Sequence, residues 1–242
     1  MDDRRGRAGV RRRARAHPLS APMRLVVLAS GRGSNLQAIL EANRRGELDV
    51  DIVAVFSDRA DAPALAIARA AGIAADALDA SAFATRAAFD AELLRRVAAC
   101  SPDLVVLAGY MRIIDPAVLA PWVGRMLNIH PSLLPKYPGL HTHRRALAAG
   151  DHEHGASVHF VTAELDGGPV VARVALPIHA HDDAVTLAAR LLPLEHRLYV
   201  GVIALAGTGR LRWREGMPQL DGQALSTPLV HDGQSSFIGA DA

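Results

Sequence analysis

Cysteine is nearly absent from this chain of 242 residues, since Cys100 is the only one. A single cysteine excludes an intramolecular disulfide, and its place in a helix-like pattern predicts a small buried side chain rather than a reactive thiol. Aromatic residues are also few, at 4%. Because half of the residues are nevertheless hydrophobic, aliphatic side chains can build the core of one large domain or two small ones.

Long hydrophobic runs are absent as well. No apolar run approaches the roughly 20 residues that a transmembrane helix needs. The arginine-rich start lacks the apolar segment of a secretory signal. These absences predict a soluble, cytoplasmic protein that does not bind a membrane.

The basic character of the chain is confined to its start. Residues 1–22 hold seven arginines and two aspartates, a net charge of +5. Because the whole chain carries +2, residues 23–242 carry a net charge of −3. A basic segment of this kind can bind nucleic acid. The alternative, which we favour, is that residues 1–22 form a disordered extension, or that Met23 is the native start and these residues are not translated. In either case no nucleic-acid partner is expected.

Apolar runs alternate with helical patterns through the first half of the chain. Alternation of this kind predicts an α/β fold with a mostly parallel twisted sheet and helices on both faces, with antiparallel additions in the C-terminal part. We expect one domain over residues 23–225, with halves at about 23–125 and 126–225, and a loose tail over 226–242. The predicted strands are 24–29, 52–56, 104–108, 125–129, 157–161 and 170–176, with short edge strands at 211–213 and near 220; the predicted helices begin at Ser34 and cover 62–71, 84–99 and 184–200, the last with Pro193 inside it.

The segment from Ser30 to Asn35 links the first predicted strand to the first predicted helix. Glycines there let the backbone approach a ligand, and a helix N-terminus offers free N–H groups to a phosphate. Leu36 stands where the dinucleotide fingerprint needs a third glycine, so a phosphate monoester fits better than a dinucleotide. Ser34 and Gln37 fit a capping box. The alternative is a turn without a ligand.

Residues 128–143 combine an amide, histidines, prolines and a glycine directly after a strand-like run. Asn128 and His130 are two residues apart, so both side chains can project from one side of a strand end. An amide donor beside an imidazole suits the stabilisation of an oxyanion and the movement of a proton. The alternative is that Asn128 bonds local backbone groups and His130 packs within the loop.

Other polar residues allow more than one interpretation. Asp166 precedes two glycines and a proline, and it is either an ordinary turn aspartate or a partner that raises the pKa of His130. Five further histidines suggest zinc, but no HExxH pattern and no cysteine pair completes a site; we expect no metal, and we expect His152 and His154 to lie on the surface. These histidines are His141, His143, His152, His154 and His159.

Taken together, these segments resemble the phosphoribosylglycinamide formyltransferases, which are folate-dependent enzymes of purine synthesis. The run Asn-x-His-Pro-Ser-Leu-Leu-Pro marks the wider formyltransferase group, and the likeness extends from about residue 23 to residue 220. The residues that carry it are 30–37, 107–113, 128–135, 136–143, 155–161 and 165–169.

The resemblance implies transfer of the formyl group of 10-formyltetrahydrofolate, as co-substrate, to the amine of glycinamide ribonucleotide, by a monomer or a homodimer. It implies a nucleotide-binding first half and a folate-binding, catalytic second half. By similarity Asn128, His130 and Asp166 are catalytic. The implied ribonucleotide contacts are Gly33, Ser34, Asn35 and Glu195, and the implied folate contacts are Arg86, Met111, Arg112, Ile113, Ile114 and Asn128.

The sequence departs from the family pattern in one place. A glutamine is common three residues before the position of Glu195, and Leu192 stands there, next to Pro193. This puts the helix geometry and the ribose contacts in doubt. A formyltetrahydrofolate deformylase and a methionyl-tRNA formyltransferase are the related alternatives; each needs a further domain, for which we expect no room here.

Overall fold

The computed structural model describes residues 21–238. Residues 1–20 and 239–242 lie outside the described residues, and with them the predicted disordered extension, apart from its last two residues. None of the described helices is both long and apolar enough to cross a bilayer.

Strands and helices alternate from Met23 to the middle of the chain, as the sequence predicts. The strands in chain order are β1 Met23–Leu28, β2 Val50–Ser57, β3 Ala75–Ala77, β4 Leu104–Leu107, β5 Met126–His130, β6 Glu153–Phe160, β7 Val170–Pro177, β8 Leu211–Arg214, β9 Met217–Leu220, β10 Gln223–Ala224, β11 Leu229–His231 and β12 Phe237–Ile238. The helices are α1 Ser34–Arg44, α2 Pro63–Ala70, α3 Arg86–Ala99, α4 Pro116–Leu119, α5 Thr142–Ala148 and α6 Ala184–Gly207, with 3₁₀ turns at Ala80–Ala82 and Ala120–Trp122.

Nine of the described strands form one mixed sheet in the order β12-β11-β7-β6-β5-β4-β1-β2-β3. The pairs from β3 through β5 are parallel, whereas β6 is antiparallel to both β5 and β7. The predicted α/β class, with antiparallel additions towards the C-terminus, is confirmed. β8, β9 and β10 form a separate three-stranded sheet.

The core lies on both faces of the main sheet. Side chains alternate along a strand between its two faces, and β1 shows this directly. Leu25 and Val27 belong to one apolar cluster with residues of α1, α2 and α6, whereas Val26 and Leu28 belong to the other, with residues of α3 and α4. Helices therefore cover both faces of the main sheet.

The C-terminal segment differs from the loose tail predicted over residues 226–242. β11 pairs in parallel with β7, and Leu229 is only 4% exposed. The sequence has little periodicity there because a strand of three residues is too short to show one. Two smaller expectations also change: Cys100 is half-buried at the end of α3, and α6 continues through Pro193 to Gly207.

Candidate active site

The carboxyl ends of β1, β4 and β5 lie side by side in the sheet, and the loops that follow them converge. The Ser30 backbone N–H donates to the Gly109 carbonyl at 3.1 Å, and the Met111 backbone N–H donates to the Ser30 hydroxyl at 2.9 Å. In open α/β sheets, ligands bind at this edge, where the strand order reverses. Here the strand order reverses at β1, because β2 and β3 follow on one side of β1 and β4 lies on its other side.

Asn128 and His130 extend from the last residues of β5, and Asp166 reaches them from the β6–β7 connection. The His130 Nδ1 atom lies 3.4 Å from the Asp166 Oδ2 atom. The Asn128 Nδ2 atom lies 3.5 Å from the Asp166 Oδ1 atom, at the outer limit of a hydrogen bond. The sequence could not show this proximity, since 38 residues separate Asn128 from Asp166.

The backbone around Asp166 explains the Asp-Gly-Gly-Pro sequence. Asp166 has a φ of 49°, a left-handed conformation that aspartate tolerates better than most residues. A Cβ atom on Gly168 would lie 1.9 Å from the Phe160 carbonyl oxygen. The Gly139 N–H donates to the Asp166 Oδ2 atom at 2.7 Å, so the carboxylate is fixed by its own turn and by the opposite loop.

His159 is a fourth member of this group; the sequence had placed it in the family-like segment 155–161 and among the zinc candidates, with no role at this site. Its Nδ1 atom is 3.0 Å from the Phe160 carbonyl oxygen, which can only accept, so Nδ1 carries a proton. The Nε2 atom of the neutral ring then accepts from the Asn128 amide at 3.1 Å. His159 lies directly opposite Asn128 in the β5–β6 pair. Strand pairing is what identifies it, and the sequence does not give that register.

Two opposing effects act on the pKa of His130. Burial lowers the pKa of His130 below its usual value, and this outweighs the Tyr137 carbonyl and the Asp166 carboxylate, which both raise it. Asp166 thus raises the pKa of His130, as predicted, but its effect is smaller than that of burial. Burial also opposes ionisation of Asp166, but the hydrogen bond from the Gly139 N–H and the two neighbouring imidazole rings, His159 and His130, outweigh burial and lower the pKa of Asp166.

The predicted phosphate loop leads into α1. Gly33 has a φ of 77°, and a Cβ atom there would lie 2.8 Å from the Ala64 Cα atom, so glycine is required. The helix begins at Ser34, as predicted, but Gly33 is its N-cap and no side chain caps it. The predicted capping box is wrong, because the Gln37 side chain bonds Glu41 instead. The free N–H groups at this helix end remain available to an anion.

Asn35 and Glu195 are buried polar groups without full partners. Asn35 is 8% exposed, and its Oδ1 atom has no hydrogen-bond partner within residues 21–238. Glu195 on α6 is 9% exposed and makes no hydrogen bond or ion pair with the described residues. Burial raises the pKa of Glu195 to about 7. Groups of this kind are costly to keep in a core and are typical of sites that a ligand completes.

The predicted folate-binding residues surround the loop after β4. Met111 and Ile113 are 65% and 49% exposed, which is unusual for large apolar side chains, whereas Ile114 is buried. The Arg112 guanidinium lies over the Phe89 ring at 4.7 Å. The remaining predicted residue, Arg86, begins α3 and lies 3.6 Å from the Asp115 carboxylate. The loop therefore offers the apolar side chains of Met111 and Ile113, with Arg112 in the loop and Arg86 on the neighbouring helix.

The histidines considered for zinc do not form one group. His154 is only 2% exposed and lies 2.9 Å from the His143 ring, so its predicted surface position is wrong, while His152 is exposed as expected. Within residues 21–238, the histidines and carboxylates close enough to share an ion are His179, His181 and Asp182. The Arg190 guanidinium already contacts both His179 and Asp182.

A cavity of about 540 Å³ lies away from these residues. It is bounded by α1, α6 and the segment after β11, and its lining includes Glu41, Arg197 and His231. None of the predicted site residues lines it. The predicted site residues at the strand ends therefore lie outside this cavity.

Comparisons with known proteins agree with the fold and with the motifs. Residues 23–203 match the formyl transferase family. A phosphoribosylglycinamide formyltransferase of Escherichia coli is 54% identical over 203 residues, which is 84% of this chain and 96% of that protein. The corresponding protein of Haemophilus influenzae is 41% identical over 202 residues, which is 84% of this chain and 95% of that one.

Solved structures give the same result. A phosphoribosylglycinamide formyltransferase from Coxiella burnetii superimposes with a TM-score of 0.81 at 45% identity, covering 85% of this chain and 96% of that one. The family match spans most of the described residues, and the relatives are similar over almost their whole length. The chain therefore belongs to the formyl transferase family, as the sequence motifs had indicated.

Proposed function

We propose that this protein transfers the formyl group of 10-formyltetrahydrofolate to the amine of glycinamide ribonucleotide, releasing tetrahydrofolate. The observation that carries the proposal is the group formed by Asn128, His130 and Asp166 at the end of β5, in a chain 54% identical to a protein with this activity in its name. Asn128 and His130 come from one strand end and Asp166 from another connection, so the fold itself assembles the group.

The ribonucleotide half of the site is the N-terminus of α1 together with α6. The N–H groups at Gly33, Ser34 and Asn35 can hold the phosphate, because a helix N-terminus favours anions. Glu195, buried and without a partner among the described residues, can accept hydrogen bonds from ribose hydroxyls. The free Asn35 oxygen gives this half a further acceptor.

The folate half of the site is the loop after β4 with the start of α3. Exposed Met111 and Ile113 can pack on the flat pterin ring, with Ile114 beneath them, and backbone groups of the loop can bond its edge. Arg86 and Arg112 supply positive charge for the carboxylates of the folate glutamate. Asn128, at the end of β5, is next to β4 in the sheet, which suits a residue that contacts the formyl group of the bound folate.

The reaction passes through a tetrahedral adduct in which the formyl oxygen becomes negative. The Asn128 amide uses one N–H on His159, and its second N–H has only the long contact with Asp166, so it is free to donate to this oxygen. A developing negative charge beside His130 raises the pKa of its ring and favours the protonated form where that form is needed.

One proton must move from the attacking amine to the departing nitrogen of tetrahydrofolate. His130 suits this transfer, since its pKa lies below its usual value in the free protein and rises as the adduct forms. Asp166 is a weak base because its own pKa is lowered. Its role is to orient His130 and to stabilise the ring when it is charged.

The test follows the folate product by absorbance, with the purified protein and 10-formyltetrahydrofolate, in the presence and absence of glycinamide ribonucleotide. Transfer predicts product only when the nucleotide is present, with one formylated nucleotide for each folate released. Product at the same rate without nucleotide would indicate hydrolysis of the formyl donor and would overturn the proposal.

A further inference from the structure

One face of α3 lies against the loop that carries the folate-side residues. Arg86, Phe89 and Asp90 are three and four residues apart, so they project from the same side of the helix. Phe89 and Asp90 are fully buried. Apolar residues would fill a buried helix face at lower energy than a carboxylate, so Asp90 needs a specific explanation.

Asp90 ties the middle of α3 to the end of this loop. Its Oδ2 atom accepts the Asp115 N–H at 2.8 Å, directly before α4. Asp115 in turn caps α4 by accepting the Ala117 N–H at 3.0 Å, and its other oxygen lies 3.6 Å from Arg86. One carboxylate therefore fixes the position of the residue that also pairs with a predicted folate-binding arginine.

The same carboxylate acts on the start of the loop. The Arg112 guanidinium lies over the ring of the neighbouring Phe89. Burial raises the pKa of the Asp90 carboxyl, and the nearby positive charge of Arg112 opposes this rise. The Arg112 Nε atom and the Asp90 Oδ1 atom are both buried and have no hydrogen-bond partner within residues 21–238. Two buried groups of opposite charge without full partners are typical of a functional site rather than of a core optimised for stability.

We infer that Asp90 is a positioning residue for the folate: it holds the segment from Met111 to Asp115 in the shape that binds the pterin. Its two attachment points are Arg112 and Asp115; Ile113 lies between them and Met111 directly precedes the first, so the exposed side chains of Met111 and Ile113 keep their places only while both attachments hold. This inference rests on the proposed function. It predicts an effect on the folate donor and none on the ribonucleotide, which binds at α1 and α6.

The experiment compares Asp90→Ala and Asp90→Asn with the unchanged protein in steady-state assays that vary each substrate separately. Asp90→Ala removes the acceptor and the charge. We expect the KM for 10-formyltetrahydrofolate to rise about tenfold or more, since the loop loses a hydrogen bond to a charged group, which is among the stronger hydrogen bonds in proteins. We expect the ribonucleotide KM and kcat to stay within about twofold. Asp90→Asn keeps an acceptor oxygen for the Asp115 N–H, and its KM for the folate should rise less.

Asp103→Asn is the matched control. The Asp103 carboxylate also accepts a backbone N–H, from Arg24 at 2.8 Å, but at the opposite end of the sheet. It should leave both KM values unchanged, even if the melting temperature falls. If Asp90→Ala does not fold, Asp90→Asn decides by the same comparison of the two substrates.

An unchanged folate KM in a folded Asp90 variant, or equal rises for both substrates, would overturn the inference and leave Asp90 a structural residue. Failure of the proposed function looks different. In that case the unchanged protein itself shows no folate product that depends on the nucleotide.

Discussion

Asn128 and His130 share one strand end, and in the proposed reaction each acts differently on the adduct. His159 holds the Asn128 amide in place, and the Asp166 carboxylate lies beside the His130 ring. The neutral ring of His130 in the free protein is compatible with catalysis because the charge that favours its protonation appears only during the reaction. Loss of either side chain should therefore affect the rate far more than the fold.

We expect Asn128→Ala and His130→Ala to lower kcat by about 10²–10³, the usual effect of losing one donor to an oxyanion. Circular dichroism should show a folded protein in both cases. His152→Ala, an exposed histidine in the same half of the chain, should retain full activity. Turnover close to normal in either of the first two variants would contradict the assigned roles.

We expect the substitution Glu195→Gln to make the protein more stable and less active. The folded protein raises the pKa of Glu195 from 4.5 to about 7, so it binds this proton more tightly than the unfolded chain does. Stability is therefore lost as the pH rises from about 4.5 to about 7. Removing the carboxylate with Glu195→Gln should add up to about 3 kcal/mol to the free energy of unfolding at pH 8, and little at pH 4.

The measurement is urea unfolding of Glu195→Gln at both pH values, together with its ribonucleotide KM, which should rise. Glu153→Gln, the same change at an exposed position, controls for the loss of one charge. Equal stability of Glu195→Gln and the unchanged protein at pH 8 would show that the charged Glu195 carboxylate does not destabilise the fold.

At the scale of elements, the loop before α1 depends on one glycine. Gly33→Ala places a side chain in a left-handed conformation, which costs about 1–2 kcal/mol, and against Ala64 on α2. The loop must shift to relieve this contact, so we expect the ribonucleotide KM to rise about tenfold or more while the folate KM changes little. Gly72→Ala is the control because its φ, 76°, is the same but no atom lies within 4 Å of the added Cβ. An unchanged nucleotide KM in Gly33→Ala would exclude this loop from the phosphate site.

The strands after residue 226 are part of the main sheet, so their removal should destabilise the protein. A chain that ends after Ser226 loses the pairing of β11 with β7 and the buried Leu229 side chain. Burying one leucine contributes about 1.5–3 kcal/mol, so we expect a melting temperature lower by several degrees. Thermal unfolding against a chain that ends after Ile238, which keeps both strands, measures the difference. Identical melting curves would support the loose tail that the sequence predicts.

At the scale of the whole molecule, burial lowers the pKa of several histidines at once. The histidines concerned are His130, His143, His154, His196 and His231. A lowered pKa in the folded protein means that the unfolded chain binds the proton more readily. Stability from these groups is therefore present above about pH 6.5 and is lost as the pH falls towards their folded pKa values.

Burial, with the charge of His143, lowers the pKa of His154 to about 4. We expect the unchanged protein to lose about 2 kcal/mol more stability between pH 7 and pH 5 than His154→Gln does. Urea unfolding at the two pH values measures this difference. His152→Gln, at an exposed neighbouring position, should lose as much stability between pH 7 and pH 5 as the unchanged protein does. If His154→Gln also loses as much as the unchanged protein, the acid sensitivity belongs to other groups.

The alternation of apolar runs and helical patterns is a local property, and it was enough to predict the α/β fold. Motifs such as 30–37 and 128–143 are local as well, and they indicate the formyl transferase family without any knowledge of tertiary contacts. The sequence also placed Asn128 and His130 together, since two residues apart on a strand means one side of it. What lies within a few residues along the chain was therefore predictable.

Contacts between distant segments were decided only by the tertiary structure. Strand pairing brings His159 opposite Asn128, and a separate connection brings Asp166 to His130. The lowered pKa of His130 is a property of burial, which depends on everything packed around the ring. The sequence by itself determined the fold, the family and the residue types of the site. The packing of distant segments decided how far apart the site residues lie and how deeply they are buried. Burial in turn decides their charge states, because solvation depends on the whole surrounding structure.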